Sequence, residues 1–494
     1  MEQMQADGME QMQADGMDES SRRKISILLH DSLDNEGYSI KRIRKRAKVF
    51  KRHFINEEEN DCHVIKAGSV GEGVSKFFKE TDHDEIMSPN GIVCVDEKST
   101  QEGLIVAQID YSATKPGYVR LLVDSAFDKR KFIGIEFQSR SRDGNIYLSS
   151  QMTGIDKDVN GPAVTTLPSM RERWRLSKWV KTLDVFSEEF LSKKVQTFDH
   201  VPGLPFYSTK VMDKWLTRKR LHEWPSKTLQ KKIATMMGYV VPVGHKSSPN
   251  QDIEWRISYT TAEIKLVHNM DNVQVKLYVV LKLVHNDRLK PACGNFTSYM
   301  VKNLVFWVLE GTSIAEFTPD KIVDRIMDAF DLLKKCLKDR FLPCYMIHER
   351  NLFDGRMTED ECESLLTEVE KIIDEGCKFL LKSHKLSLFM LKTYKYPEFS
   401  RDFAQRSAEI EDLFLMLMSE NLDTLDMGIE EFLSHKSELV RALIRIGLLL
   451  INYNGFVSTR EGAHGEVVFG TTLIFIYMYA VRCDYEKRLK AILS

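Results

Sequence analysis

Apolar positions change their period near the middle of this chain. Between Val64 and Thr166 they fall in short runs: GIVCV at Gly91–Val95, LIVAQID at Leu104–Asp110, YVRLLV at Tyr118–Val123 and NIYLSS at Asn145–Ser150. Turn residues border them, as in Ser88-Pro89-Asn90-Gly91 and Arg142-Asp143-Gly144, a pattern that predicts strands. Phe198–Phe206 (FDHVPGLPF) reads as a further strand entering a Pro-rich turn. After Met212 the spacing becomes helical, over Lys214–His222, Thr260–His268, Val273–Val284, Tyr299–Leu309, Pro319–Leu337 and Glu359–Leu381. A last group from Phe403 to Leu493 reads as about four helices, broken at Asn454-Gly455 and Gly462–Gly465. The predicted fold is an α/β (α+β) lobe with a mixed twisted sheet, residues 54–212, packed on a larger all-helical lobe, residues 213–395, with additional helices over 396–494.

Two segments precede the strands. The chain opens with MEQMQADG twice over. A tandem octapeptide rich in Met, Gln and Asp has little to bury, so residues 1–20 are predicted to be a disordered tail, with a tethering arm as the functional alternative. Residues 21–53 are helical in pattern and end in SIKRIRKRAKVFKRH. There Ile40, Ile43, Ala47 and Phe50 recur at three- and four-residue spacing among Lys41, Arg42, Arg44, Lys45, Arg46, Lys48, Lys51 and Arg52. This predicts an amphipathic helix with an apolar stripe inward and a basic face outward. With no acid among these cations, the face is either a solvated surface or a contact for nucleic acid or another polyanion. Arg171–Lys194 is also basic, aromatic and helical in period, and the acidic run Asn56–Asp61 reads as a loop.

Composition narrows the class. A hydrophobic content of 43% and a charged content of 29% are those of a globular protein, and 494 residues exceed one ordinary core. A net charge of −2 excludes a uniformly basic nucleic-acid coat but not local patches. The eight cysteines are scattered with no C-x-x-C, which fits a reducing compartment and no disulfide framework. No secretory signal is visible, and the longest apolar run, Val467–Val481, is short for a span and reads as a buried helix rather than a membrane-associated one. The expectation is a cytoplasmic protein without stable membrane insertion.

Candidate chemistry sits in two stretches a dozen residues apart. AGSVGEG at Ala67–Gly73 is a Gly/Ser turn able to present backbone N–H groups to phosphate. ETDHDEIM at Glu80–Met87 sets Asp82 and Asp84 on one face of a strand, because side chains two apart point the same way. A phosphate cradle beside paired carboxylates is what metal-assisted nucleotidyl transfer requires. Neither motif is specific alone.

Their order and context add a resemblance. Basic helix, GS turn, D-x-D strand, a third acidic strand and a helical lobe follow one another. With them come NGPAVT at Asn160–Thr165, HEWPS at His222–Ser226, GYVVPVG at Gly238–Gly244, EWRISYTTAEIKL at Glu254–Leu266, FTSYMVKNLVFW at Phe296–Trp307 and RFLPCYMIHERNLF at Arg340–Phe353. From about Lys41 to Asp354 the chain resembles the cyclic GMP–AMP synthase-like receptors of the Mab-twenty-one nucleotidyltransferase family. The resemblance implies that Gly68 and Ser69 hold a triphosphate. It makes Asp82, Asp84 and Asp199 the catalytic carboxylates, ligating two Mg²⁺ (or Mn²⁺) ions. It places Tyr299 against a nucleobase, with Ser298 hydrogen-bonded to the nucleotide and Lys282 on phosphate, and it faces Arg256, Ser258 and Glu263 towards the acceptor nucleotide.

Two features depart from the family pattern. His83 and Glu85 stand where apolar residues usually back the metal strand, so its rear face is either exposed or altered. No cysteine lies between His268 and Val273, so the zinc thumb of the vertebrate DNA sensor is absent and no zinc is expected. The resemblance implies an enzyme that joins ATP and GTP into a cyclic dinucleotide second messenger. Double-stranded RNA, favoured over DNA, would be its activator, and its product would act on a STING-type receptor in innate immune sensing. The alternative is a catalytically silent Mab-twenty-one protein that binds nucleotide or partners in a developmental or scaffolding role.

Overall fold

The computed structural model describes residues 19–55, 62–75, 83–97, 104–124, 131–132, 135–151, 164–165 and 198–419. The opening repeat, the acidic run 56–61, Asp82, the stretch 171–194 and the apolar run 467–481 lie outside the described residues. So do the side chains of Arg52, His83 and Asp199.

The chain begins with two helices, α1 (Glu19–Asn35) and α2 (Ile40–Ile55). Ile43, Ala47 and Phe50 of α2 are buried, as their spacing predicts. β1 (Cys62–Lys66), the short helix α3 (Gly68–Gly71), β2 (His83–Pro89), β3 (Ile92–Val95), β4 (Ile105–Asp110), β5 (Tyr118–Leu122), β6 (Ser139–Arg142) and β7 (Asn145–Leu148) follow. Then come β8 (Val164–Thr165), β9 (Phe198–Pro202), β10 (Leu204–Tyr207), β11 (Gly238–Val241) and β12 (Glu254–Ser258). Helices α4 (Thr209–Thr217) and α5 (Lys227–Ala234) separate β10 from β11.

These strands form two sheets rather than one. The smaller runs β1-β2-β9-β8, with β2 and β9 parallel. The larger runs β12-β11-β10-β3-β4-β5-β7-β6, and β12 also pairs with β5, so six of its strands close on themselves. The chain crosses from the smaller sheet to the larger at the Asn90-Gly91 turn and again at Gly203. A Cβ on Gly203 would lie 2.4 Å from Ile86 Cγ2, so this crossing needs glycine. The larger sheet takes in β11 and β12, beyond the residue where helical periodicity begins to dominate.

The helical part comprises α6 (Thr260–His268), α7 (Asn272–Val284), α8 (Ser298–Gly311), α9 (Ile322–Lys338), α10 (Glu359–Glu375), α11 (His384–Lys395) and α12 (Pro397–Ser419). Helix α7 is apolar on nearly every face and lies in the core. Its start is fixed by a capping box: Asp271 accepts from Val273 and Gln274 N–H at 2.8 Å, and Gln274 Oε1 accepts from Asp271 N–H at 3.0 Å. Glu359–Leu381, predicted as one helix, breaks at Gly376 (φ +55°). No helix among the described residues is long and apolar enough to cross a membrane.

Candidate active site

The GS turn sits where β1 hands over to α3. Gly68 has φ +56°, and an added Cβ there would fall 2.0 Å from Asp84 Oδ2, so the carboxylate of β2 lies directly against the turn. Ala67 N–H donates to the Asp84 carbonyl at 2.7 Å, which fixes turn and strand together. Ser69 Oγ is hydrogen-bonded by Lys282 Nζ from α7. Burial pushes the Lys282 ammonium below the ordinary lysine range, Glu72 and Asp84 favour its charge, and Lys302 opposes it.

Asp84 and Asp199 occupy the same register position on the parallel strands β2 and β9. With Asp82 two residues before Asp84, the chain's carboxylates are suited to hard divalent cations, which prefer oxygen donors. Among the described residues no group of three His, Cys, Asp or Glu could hold a metal ion. Asp82 and the Asp199 side chain lie outside them.

On the rear of β2 the structure resolves the departure at Glu85. Its side chain is buried and ion-paired with Lys66, its cross-strand neighbour on β1. At Glu85 the rear face is therefore closed by a matched charge pair and is not exposed.

The remaining predicted residues lie on β12, α6 and α8. Tyr299, in the first turn of α8, donates its hydroxyl to Glu263 Oε1 at 2.9 Å. Ser298 beside it is exposed. Ser258 Oγ pairs with Thr260 Oγ1 at 2.7 Å. Arg256 on β12 is opposite Tyr118 of β5. Burial, then Arg350 and Arg356, lower the Arg256 guanidinium to about 10.

Two charged residues of this network escaped sequence reasoning. Glu72 caps α3, is 1% exposed, and accepts from Tyr278 OH at 2.8 Å and Lys302 Nζ at 2.9 Å. Lys302 reaches on to Glu263 at 2.8 Å. A continuous chain thus runs from the phosphate turn through Glu72, Lys302 and Glu263 to Tyr299. Burial alone would raise the Glu72 carboxyl, but Lys302, Lys282 and the Tyr278 hydroxyl outweigh it and hold the group below its usual range. The only signals were positional: Glu72 is the penultimate residue of the AGSVGEG segment, and Lys302 follows Tyr299 by one helical turn.

The basic helix is only partly a free surface. Arg46 is not on it: its side chain is buried, ion-paired with Glu411 of α12, and bonded to the Gly37 and Gly73 carbonyls. The reason is its place one residue before Ala47, on the edge of the apolar stripe. Arg42 pairs with Glu411 and Asp412, and Lys45 with Asp412 at 2.7 Å. Arg44 is exposed and donates to the His268 and Met270 carbonyls at 2.7 and 3.1 Å. Lys41, Lys48 and Lys51 are exposed.

Residues 273–371 match the Mab-21 protein HhH/H2TH-like domain, so this part of the chain is similar to that domain of Mab-21 proteins. The matched segment carries Lys282, Ser298, Tyr299 and Lys302, while the GS turn and the carboxylate strands precede it.

Proposed function

We propose that this protein is a metal-dependent nucleotidyltransferase that joins two nucleoside triphosphates, ATP and GTP, into a cyclic dinucleotide, activated by double-stranded nucleic acid, RNA before DNA. The observation that carries the reading is the convergence of Gly68, Ser69, Lys282 and Asp84, with Asp199 in register beside Asp84. The turn and Lys282 receive the donor triphosphate. Asp82, Asp84 and Asp199 would hold two Mg²⁺ ions, which when bound lower the pKa of an attacking hydroxyl and neutralise the leaving pyrophosphate. Tyr299 offers a stacking face to a base, a sequence-tolerant contact. Arg256, Ser258 and Glu263 lie on the acceptor side. Lys41, Arg44, Lys48 and Lys51 supply the exposed part of the activator surface, where phosphate contacts weaken steeply with salt. In this reading the product is a second messenger for a STING-type receptor.

The test is incubation of the purified chain with labelled ATP, GTP, CTP and UTP, Mg²⁺ or Mn²⁺, and either double-stranded RNA or DNA. A phosphatase-resistant product that depends on the nucleic acid is expected. Its absence under every combination would sink the reading.

A further inference from the structure

Among the described residues three arginines near Tyr299 meet without a counter-ion. Arg350 is 7% exposed, and its Cζ lies 5.5 Å from the centroid of the Tyr118 ring. Its stem crosses Gly117 (φ +84°), where a Cβ would fall 2.4 Å from Arg350 Cδ, so glycine is what lets the side chain lie there. Its backbone is pinned at both ends: Cys344 N–H donates to the Arg350 carbonyl at 2.8 Å, and Arg350 N–H donates to the Ile347 carbonyl at 2.9 Å. Arg256 stands opposite the same Tyr118 across the β12–β5 register, and Arg356 follows on the same loop.

Among the described residues none of the three side chains makes a hydrogen bond or an ion pair. Buried cations are normally paired. Here burial and mutual repulsion lower Arg256 and Arg356. Arg350, after the same cost of burial, is held up by Cys344, Tyr299 and Tyr118 and last by Glu263, a carboxylate already engaged by Lys302 at 2.8 Å and by the Tyr299 hydroxyl. Three planar guanidiniums close enough to repel one another match the oxygens of a polyphosphate, which they can grip bidentately.

We propose that Arg256, Arg350 and Arg356 form an oligophosphate-binding subsite, separate from the GS turn, that holds the phosphates of the acceptor nucleotide beside Tyr299. The identity of the ligand as a nucleotide rests on the nucleotidyltransferase reading, whereas the anion site itself does not. Arg350 and Arg356 therefore join Arg256 on the acceptor side, and the acceptor is oriented by charge at its phosphates as well as by stacking.

The experiment is calorimetric titration of the full chain with inorganic tripolyphosphate at low salt, without nucleotide or catalysis. The variants are Arg350→Gln/Arg356→Gln, Arg350→Lys/Arg356→Lys and Lys282→Gln, with the unliganded melting temperature of each. The glutamine pair is expected to bind at least tenfold more weakly, the lysine pair to bind between it and the parent because charge is kept without the bidentate fork, and K282Q to retain this binding event. The unliganded glutamine pair should melt no lower than the parent, because like-charge repulsion is relieved. Undiminished binding by the glutamine pair overturns the proposal. So does a lower unliganded melting temperature for that pair, which would make the arginines structural. Failure of the enzyme to form product leaves these readouts in place, so the two readings fail separately.

Discussion

Glu72→Gln is nearly isosteric and deletes one buried charge beneath the phosphate turn. Glu72 is 1% exposed and holds Tyr278 at 2.8 Å and Lys302 at 2.9 Å. Removing one member of a buried pair costs about 3–5 kcal/mol. Lys302 keeps Glu263 at 2.8 Å, and glutamine still accepts from Tyr278, so the low end, about 3 kcal/mol, applies. At about 2–4 °C per kcal/mol for large domains, the melting temperature should fall by roughly 6 °C. The folded Glu72 carboxyl titrates below its ordinary value of 4.5. Its contribution is therefore fully present above 4.5 and is lost as pH falls through the folded value. The gap between parent and E72Q should be full at pH 7 and close progressively in acid.

Scanning calorimetry across pH reads both effects. A double-mutant cycle with Lys302→Met isolates the pair, and the double variant should be less destabilised than the sum of the singles by about 1–3 kcal/mol. Melting temperatures within about 1 °C of each other at every pH, the behaviour of a surface substitution, would refute the buried linkage, as would a cycle that closes to zero.

Other outcomes follow from the same contacts. Gly68→Ala places a Cβ 2.0 Å from Asp84 Oδ2 at φ +56°. It should cost about 1–2 kcal/mol of stability and cut product formation severalfold more than that loss explains, measured by melting and initial rates side by side. Glu411→Gln leaves Arg46 buried without its carboxylate and should cost about 3 kcal/mol, read as faster hydrogen exchange in α12. The same change weakens the hold on Arg42, so affinity for double-stranded RNA should rise and its salt dependence steepen. Tyr299→Phe loses only the hydroxyl's contacts with Glu263 and Cys344 Sγ and should bind ATP as the parent does. Tyr299→Ala loses the stacking face, about 1–3 kcal/mol, or roughly 5- to 150-fold in affinity.

What the sequence made legible was local. The GS turn and the placement of Asp84 on a strand lie in short segments whose spacing fixes their geometry, whereas the strand carrying Asp199 was expected beside them from the family resemblance. Helices α6, α7 and α8 were readable within a residue or two, since their apolar periodicity is strong. The unreadable part was cross-chain. Lys66 and Glu85 are partners only because β1 and β2 pair in that register. Ser69 meets Lys282 across 213 residues, and Glu72 meets Lys302 across 230. Closure of the larger sheet depends on β5 finding β12, a long-range pairing that no window of sequence contains. Arg46 was a different error: counting it with the outer cations ignored its position beside Ala47, one turn from Ile43 and from Phe50.

The central claim is that Asp84 and Asp199, beside the Gly68-Ser69 turn, serve one nucleotidyl-transfer reaction. Product formation from ATP and GTP, with Mg²⁺ and double-stranded RNA, compared among the parent, Asp84→Asn and Asp199→Asn, tests it most directly. Losing a cation site worth several kcal/mol of transition-state stabilisation corresponds to a fall of about 10²-fold or more, so both variants should drop at least that far while their melting temperatures stay near the parent's. Product formed at the parent rate by either folded variant would contradict the account.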